Sequence, residues 1–397
     1  MHRREFLRTA TAAVAATGFS GLAQASPRDK VSVGIIGPGS RGQELMRQLL
    51  RVPGVEITAV ADVYEPRFAA VDQLVGHSVP HHSDYRALLD RKDLDAIVIA
   101  TPLYLHAEHV TAALESGRPV YGEKSMGFTP EDCAGIVKAV EKTGQIYQVG
   151  HQYRYSPWFR QAVTRASQGK LGKITHMMAY WHRNNDWRRP VSDPKFERLI
   201  NWRLYREYSG GLLTELGSHH IDVANWIFGS QPEEVMGMGS IAVYHDGREL
   251  DDNVQVVFGY SEGRRLTFSS LTDNSVTGEQ LWIYGTEGSL QITLEDATEY
   301  YEPKHNQPVS KILDHGLATG ASYRASNEMP YRGTGEKLQV PASEDPTLSA
   351  IRSFIECVRT KSQPIANVHV GYASAIAAAY ANKAIRSGQR EKIPALG

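Results

Sequence analysis

The stretch VSVGIIGPGSRGQEL, residues 31–45, decides the fold. It opens with a largely β-branched run, Val31 to Ile36, which is typical of a buried parallel strand. A G-x-G-x-x-G motif follows, with glycines at 37, 39 and 42, and a helix pattern begins within it. Gly37 permits a tight turn, Gly39 lets backbone N–H groups approach a pyrophosphate, and Gly42 lets the helix pack close to the strand. The stretch therefore predicts a dinucleotide site at a helix N-terminus.

The next strand indicates which dinucleotide is bound. The segment VEITAVAD ends at Asp62. An acidic side chain at this point hydrogen-bonds the adenosine ribose hydroxyls and repels a 2′-phosphate, so NAD is favoured over NADP. Two further loop residues, Ser40 and Arg41, are expected to contact the cofactor. Arg41 keeps NADP open as an alternative, because a guanidinium can also bind a phosphate.

Strands and helices continue to alternate up to about residue 150. This order predicts an α/β domain with a Rossmann doubly wound parallel sheet, whose ligand lies at the carboxyl ends of the strands. The residues at or just beyond those ends are therefore expected to contact the cofactor: Thr101, Leu103, His106, Glu123, Lys124 and His151.

Beyond residue 151 the pattern changes to strand-length segments with alternating or continuous apolar residues, separated by Gly and Asp turns. This predicts an α+β domain with a mostly antiparallel open sheet over 151–345, followed by helices over 346–397 that pack back on the Rossmann domain, residues 30–150. Residues 301–345 show no periodicity. An open sheet face favours a homo-oligomer.

Composition excludes several classes of protein. The chain has 397 residues with 41% hydrophobic residues and a net charge of −1. A nucleic-acid surface and a polybasic membrane patch are therefore not indicated, and no apolar run of membrane-spanning length follows residue 25. The two cysteines, Cys133 and Cys357, are interpreted as buried free thiols.

Four motifs give the chain a family resemblance: IATP at 99–102, GEKS at 122–125, NWR at 201–203 and SGGLLTELGSHHIDVANWIFG at 209–229. With these motifs and the glycine motif, the chain resembles the Gfo/Idh/MocA family, the relatives of glucose–fructose oxidoreductase and inositol dehydrogenase. The resemblance covers essentially the whole chain after residue 25. There are two departures. Ser125 replaces the proline of the family's E-K-P, and Glu215 replaces the aspartate of its D-x-x-x-H. Both suggest a subgroup with altered substrate or chemistry.

The resemblance implies the catalytic residues. It places Lys124 and His219 beside the nicotinamide, where Lys124 would polarise a sugar hydroxyl and help to remove its proton. Residues 214–228 are predicted to form a helix that starts at Thr214, so Glu215 and His219 share one face and form a proton-handling pair. A metal site at this pair is not expected, because no third ligand occurs at zinc-motif spacing.

Aromatic and basic residues cluster around the expected cleft in three stretches, 151–158, 180–190 and 201–208. Aromatic rings stack on the C–H faces of sugars, and arginine and asparagine hydrogen-bond hydroxyl groups. The predicted substrate contacts are Tyr153, Arg154, Trp202, Arg203 and His220. Individual residues of 180–190 fit a substrate loop, a plain surface position or a subunit contact equally well.

The N-terminus adds a prediction about location. Arg3 and Arg4 precede an apolar, alanine-rich run that ends in Ala-Gln-Ala at residue 25. This pattern is typical of a twin-arginine signal peptide, residues 1–25, and such signals export proteins already folded. The cofactor would then be loaded before the protein is exported. Because the periplasm is expected to have no NAD pool, the protein must hold its cofactor tightly and regenerate it at the site.

Three functions fit these features. The first is an exported NAD(P)-dependent oxidoreductase that acts on a sugar or glycoside hydroxyl and returns the hydride to a second substrate. The second is a redox-neutral NAD-dependent glycosidase that oxidises, eliminates, hydrates and reduces one sugar. The third is a non-catalytic sugar-binding protein on the same fold, which the presence of Lys124 and His219 disfavours.

Overall fold

The computed structural model describes residues 30–302, 335–340 and 344–395. Its first part contains six strands: β1 (Val31–Ile36), β2 (Val55–Ala61), β3 (His81–His82), β4 (Ala96–Ile99), β5 (Val120–Gly122) and β6 (Tyr147–Val149). They form a parallel sheet in the order β3-β2-β1-β4-β5-β6. The strand order reverses at β1, so a crevice opens beyond the carboxyl ends of β1 and β4. The predicted Rossmann sheet is confirmed.

Five helices connect these strands: α1 (Ser40–Leu49), α2 (Arg67–Val75), α3 (Tyr85–Leu89), α4 (His106–Glu115) and α5 (Pro130–Thr143). Their ends follow local sequence rules. Thr129 and Asp132 form a reciprocal capping box at the start of α5, where Pro130 occupies the first turn. Gly144 then ends α5 with a φ of 65°, a conformation that glycine adopts without steric cost.

The second part begins with α6 (Pro157–Ser167) and continues through the short helix α7 (Glu197–Ile200) to α8 (Ser218–Phe228). Its strands are β7 (Ile174–His182), β8 (Glu234–Ser240), β9 (Asn253–Gly259), β10 (Arg265–Leu271), β11 (Glu279–Gly285), β12 (Gly288–Thr293), β13 (Ala297–Tyr301), β14 (Glu336–Lys337) and β15 (Glu391–Lys392). They form one sheet in the order β14-β13-β12-β11-β7-β10-β9-β8-β15. Among the described strands of this second sheet, only the β7–β10 pair is parallel, as predicted for a mostly antiparallel sheet.

The prediction that 301–345 lacks regular structure falls mostly on residues outside the described ranges. Within it, Glu336–Lys337 forms strand β14, which pairs with β13 at the sheet edge. The lack of a periodic pattern did not reveal this two-residue strand, because pairing rather than sequence pattern defines an element so short.

The C-terminal helices are α9 (Pro346–Thr360) and α10 (Val368–Ser387). Helix α9 packs on the Rossmann domain, where Ile351 and Phe354 join the core built on β1 and β2. Helix α10 instead lies between the two domains, because Ala375 belongs to the Rossmann core and Ile376 to the core of the second domain. The C-terminal segment therefore joins the two domains as well as covering the first.

The predicted start at Thr214 of the helix over 214–228 is wrong. The chain is already helical at 211–212 and π-helical over Leu213–Gly217, and α8 continues to a C-cap at Gly229. Thr214 lies inside this segment, where its hydroxyl accepts a hydrogen bond of 2.7 Å from Asn382 of α10. A π-helical turn contains more residues than an α-helical turn. The four-residue spacing of Glu215 and His219 therefore does not stack one side chain over the other.

Both cysteines are buried free thiols, as predicted. Within the ranges that the structure describes, no helix is both long enough and apolar enough to cross a bilayer. The same ranges contain no group of three or more His, Cys, Asp or Glu residues that could hold a metal ion.

Candidate active site

The glycine motif forms the floor of a cavity of about 690 Å³ at the carboxyl ends of β1 and β4. Gly37 has a φ of +84°, and a Cβ atom there would lie 2.7 Å from Thr101. A Cβ on Gly42 would lie 2.3 Å from the Gly37 carbonyl oxygen. A Cβ on Gly39 would have its nearest neighbour at 3.7 Å, on Arg67. Gly37 and Gly42 are therefore required by packing, whereas Gly39 leaves the approach to the helix N-terminus open.

Asp62 lies directly after β2 and lines the same cavity. Its carboxylate accepts a hydrogen bond of 2.8 Å from the Tyr64 backbone N–H and forms an ion pair of 2.6 Å with Arg67. Arg67, which the sequence did not single out, therefore contributes to the ribose end of the site. A cavity with an open glycine turn, a helix N-terminus and an acidic strand end fits NAD, with these groups holding its pyrophosphate and adenosine ribose.

The guanidinium of Arg41 is already paired with a carboxylate on one edge, although its Nη2 has no hydrogen-bond partner among the described residues. Its Nε donates a 2.8 Å hydrogen bond to Glu123, and the nearby carboxylate raises the pKa of Arg41 despite its burial. The side chain of Glu123 also accepts a hydrogen bond of 3.2 Å from the Lys124 backbone N–H. This pair therefore ties the glycine loop to the strand end that carries Lys124, and the reason for keeping NADP open is weakened.

A second cavity, of about 580 Å³, adjoins the first. Arg41, Thr101, Trp202 and Arg203 line both cavities. The predicted residues on the wall of the second cavity also include Leu103, His106, Glu123, Lys124, Glu215 and His219. Residues from the Rossmann strand ends and from the π-helical segment thus converge on one space, next to the glycine turn.

Lys124 is held from the far side of this cavity. Its ammonium donates a hydrogen bond to the Glu215 backbone carbonyl in the π-helical segment. Burial lowers the pKa of Lys124, although Glu215 and Glu123 act in the opposite direction. The Lys124–Ser125 peptide bond is cis, although the family's proline is absent. Lys124 is therefore a positioned hydrogen-bond donor, with its amine closer to neutrality than a surface lysine.

His219 is a neutral imidazole on the same wall. Burial, and then the charge of Lys124, hold its pKa well below the ordinary histidine range. Its ring stacks on Tyr153 with centroids 4.8 Å apart, and its Nδ1 has no hydrogen-bond partner among the described residues. An imidazole that stays deprotonated at neutral pH can accept a proton from a substrate hydroxyl.

The carboxylate of Glu215 pairs with Arg203 rather than with His219. The Arg203 Nε donates a hydrogen bond of 2.8 Å to Glu215, and its guanidinium lies 4.1 Å from the ring centroid of Trp202. Three predicted residues, Trp202, Arg203 and Glu215, therefore form one stacked and ion-paired unit on the cavity wall.

We expect this pairing to determine how mutations combine. Glu215→Ala and Arg203→Ala should each weaken turnover by about tenfold, and the double variant should lose little more than the worse single variant, because each removes the same ion pair. His219→Ala should instead multiply with Glu215→Ala. The measurement is a double-mutant cycle on kcat/KM. The opposite result, non-additivity between Glu215 and His219 with additivity between Glu215 and Arg203, would contradict this expectation. It would show that Glu215 acts together with His219 in catalysis.

Several predicted contacts support the wall without lining it. Arg154 forms a bidentate pair with the buried Asp222, and its shorter contacts measure 2.8 and 2.9 Å. His151 is fully buried, and its Nε2 lies 2.7 Å from the Ser374 hydroxyl of α10. Tyr153 lies behind His219, and Gly42 lies under the turn. His220 packs against Trp181 and Phe268 in the core, where burial lowers its pKa to about 3.

Other wall residues were indicated only as members of the three aromatic and basic stretches, 151–158, 180–190 and 201–208. The structure brings Trp181, Arg183, Asn185, Asp186, Trp187 and Arg189 to the second cavity, together with Gln152 and Asn201. Arg189 donates a 2.9 Å hydrogen bond to the Ser40 hydroxyl in the glycine loop. These residues of the 180–190 stretch therefore lie at the second cavity, where a substrate loop was one of the alternatives.

Comparisons with known proteins agree with this architecture. Residues 31–151 match the model described as the oxidoreductase family with an NAD-binding Rossmann fold, and residues 159–291 match the GFO/IDH/MocA C-terminal domain. A 2,7-anhydro-N-acetylneuraminate hydratase of Mediterraneibacter gnavus is 29% identical over 67% of this chain and 68% of its own length. An inositol 2-dehydrogenase 3 of Saccharopolyspora erythraea is 39% identical over 39% of this chain and 45% of its own.

A solved levoglucosan dehydrogenase in complex with NADH and levoglucosan has the same fold. It superposes with a TM-score of 0.74 at 20% identity, and the match covers 92% of this chain and all of that one. The two family models together span more than half of the 397 residues. With NAD as its cofactor, the chain belongs to the Gfo/Idh/MocA family of oxidoreductases.

Proposed function

We propose that this protein is an exported oxidoreductase that acts on a hydroxyl group of a sugar or glycoside and keeps its NAD tightly bound. The observation that carries the proposal is the convergence of Lys124 and His219 on one cavity beside the glycine turn. When bound, NAD supplies the acceptor for the hydride that leaves the carbinol carbon. Export and retention of the cofactor rest on the arginine pair at residues 3–4 and on the closed fold that such a pathway requires.

The residues of the cavity divide the work. The Lys124 ammonium is placed to hydrogen-bond the reacting hydroxyl oxygen and stabilise negative charge there, because Glu215 fixes it from the opposite domain. His219 lines the same cavity and can accept the hydroxyl proton, because its imidazole is neutral. The indole rings of Trp181, Trp187 and Trp202 supply the apolar faces on which a sugar ring stacks. A purely sugar-binding protein would not need the acid–base pair.

A redox-neutral reaction on a single sugar is the second candidate. The relative named a hydratase supports it, because adding water changes no net oxidation state. In this reaction the hydroxyl is first oxidised to a ketone. The proton on the neighbouring carbon is then removed, and a substituent leaves. Water then adds, and the ketone is reduced. His219 and Glu215 are two groups on the wall that could take that proton, whereas Tyr153 and Tyr155 are buried and do not line the cavity.

One experiment separates the two candidates and also tests retention. The protein is recovered from the exported fraction, and its native mass and absorbance are expected to show co-purified NAD. The holoprotein is then incubated with an aryl glycoside in heavy water without added nucleotide, and the products are followed by NMR. Free sugar with deuterium at the carbon next to the transient ketone would establish the redox-neutral reaction. A lactone or keto sugar that appears only with an acceptor sugar would establish the oxidoreductase.

Two outcomes would contradict the proposal. Protein without nucleotide would refute retention. Holoprotein that converts no sugar or glycoside, although it binds them, would favour the non-catalytic alternative.

A homo-oligomer is also part of the proposal. Met236 and Met238 on β8 are 55% and 78% exposed, on the sheet face opposite the buried Val235. An exposed apolar sheet face of this kind is typical of a subunit contact.

A further inference from the structure

We propose that the natural substrate carries an anionic group and that Arg183 binds it. This inference rests on the proposed function, because it names the class of sugar that the second cavity accepts. The observation behind it is a cation on the cavity wall that has no carboxylate partner in the described part of the chain.

The charges on the wall show the imbalance. Each of its three carboxylates is already paired: Glu123 with Arg41 at 2.8 Å, Glu215 with Arg203 at 2.8 Å and Asp186 with Arg248 at 2.5 Å. Arg189 is committed to the Ser40 hydroxyl, on the cofactor side. Lys124 is committed to a backbone carbonyl at the reacting centre. Among the five cations of the cavity wall, all of which lie in the described part of the chain, Arg183 is therefore the one whose side chain has neither an ion pair nor a hydrogen bond.

Arg183 is nevertheless held in place. Its backbone N–H donates a 3.0 Å hydrogen bond to the Leu271 carbonyl, directly after β7. Its guanidinium lies 5.4 Å from the ring centroid of Trp181 and 5.9 Å from that of Trp187. Aromatic contact fixes the plane of a guanidinium while its N–H edge stays available to a bidentate acceptor.

The environment of Arg183 favours an incoming anion. Arg183 is half-buried, and burial lowers its pKa with no neighbouring carboxylate to offset the cost. Arg41 and Arg188 show the opposite behaviour, because carboxylates beside them raise their pKa values. A carboxylate or phosphate of the substrate would restore the missing counter-charge, through charge-assisted hydrogen bonds worth about ten- to hundredfold in affinity.

The position also determines which part of the sugar bears the charge. Trp181 contacts both Arg183 and His219, with ring centroids of Trp181 and His219 5.7 Å apart. The indole ring of Trp181 therefore separates the anionic group, bound at Arg183, from the proton acceptor, His219. This places the anionic group on a carbon or substituent remote from the hydroxyl that reacts.

Calorimetric binding to the NAD-loaded protein tests the inference with matched probes: glucuronate against glucose, galacturonate against galactose, and glucose 6-phosphate. We expect at least one charged probe to bind about tenfold or more tightly than its neutral parent. Arg183→Met should remove that preference, measured as the ratio of the affinity for the charged probe to the affinity for its neutral parent. Arg183→Lys keeps the charge and should retain part of the preference. The control is Arg160→Met, on the exposed surface of α6.

The charged probes also distinguish the sources of the charge, since the uronates report a carboxylate and the 6-phosphate a phosphoryl group. Equal affinity for charged and neutral probes, or a preference that survives Arg183→Met, would overturn the inference. If the protein turned over neutral sugars and showed no preference for charged ones, the inference would be overturned but the proposed function would remain. Binding of anions by a protein that converts none of them would refute the function and leave the inference standing.

Discussion

Replacing Lys124 by alanine is expected to lower the rate of nicotinamide reduction by about 10³-fold or more, because the variant loses the donor that stabilises the reacting oxygen. Cofactor binding should change little, since the ammonium is bonded to the Glu215 carbonyl rather than to the glycine turn. Single-turnover kinetics at the nicotinamide absorbance report the first quantity, and calorimetry reports the second. Lys170→Ala is the matched control, because Lys170 is exposed and lines neither cavity.

The pH profile of the same variant separates a chemical role from a structural one. Burial is the main reason for the low pKa of His219, and the charge of Lys124 lowers it further. Removing that charge raises the pKa of His219, so the proton acceptor becomes protonated at a higher pH. The acid limb of the residual activity should therefore move upward in Lys124→Ala. An unchanged limb with a near-normal rate would refute both assigned roles.

The sequence predicted the Rossmann half of the molecule well because its signals are local. A β-branched strand, a glycine turn and a helix follow one another within fifteen residues, and Gly42 is required by the carbonyl oxygen of Gly37 in the same turn. Asp62 could be located for the same reason, as the residue that directly follows β2.

The substrate half was less predictable because its contacts are long-range. Arg203 pairs with Glu215, twelve positions away, and Arg154 pairs with Asp222, sixty-eight positions away. Either arginine read alone suits a sugar hydroxyl. Only the folded chain shows that Arg154 is used inside the core while Arg183 reaches the cavity. The π-helical turn that separates Glu215 from His219 likewise has no signature in a four-residue spacing.

The second large effect is expected at the glycine turn, where two alanine variants should behave differently. Gly39 has a φ of −71°, which alanine adopts freely, and an added Cβ would be 3.7 Å or more from its neighbours. Gly39→Ala should therefore fold with an unchanged Tm. Its methyl group nevertheless occupies the approach to the helix N-terminus, so NAD affinity should fall by about a hundredfold.

Gly42→Ala should fail in a different way. Its Cβ would meet the Gly37 carbonyl oxygen at 2.3 Å, and that oxygen belongs to backbone that cannot rotate away. Helix α1 must then move off the turn, so Tm falls together with NAD affinity. Thermal unfolding and nucleotide binding, measured on both variants after removal of the cofactor, test the difference. If Gly39→Ala bound NAD normally, the pyrophosphate would not lie over Gly39. If Gly42→Ala kept its Tm, close packing of α1 would not be what requires glycine there.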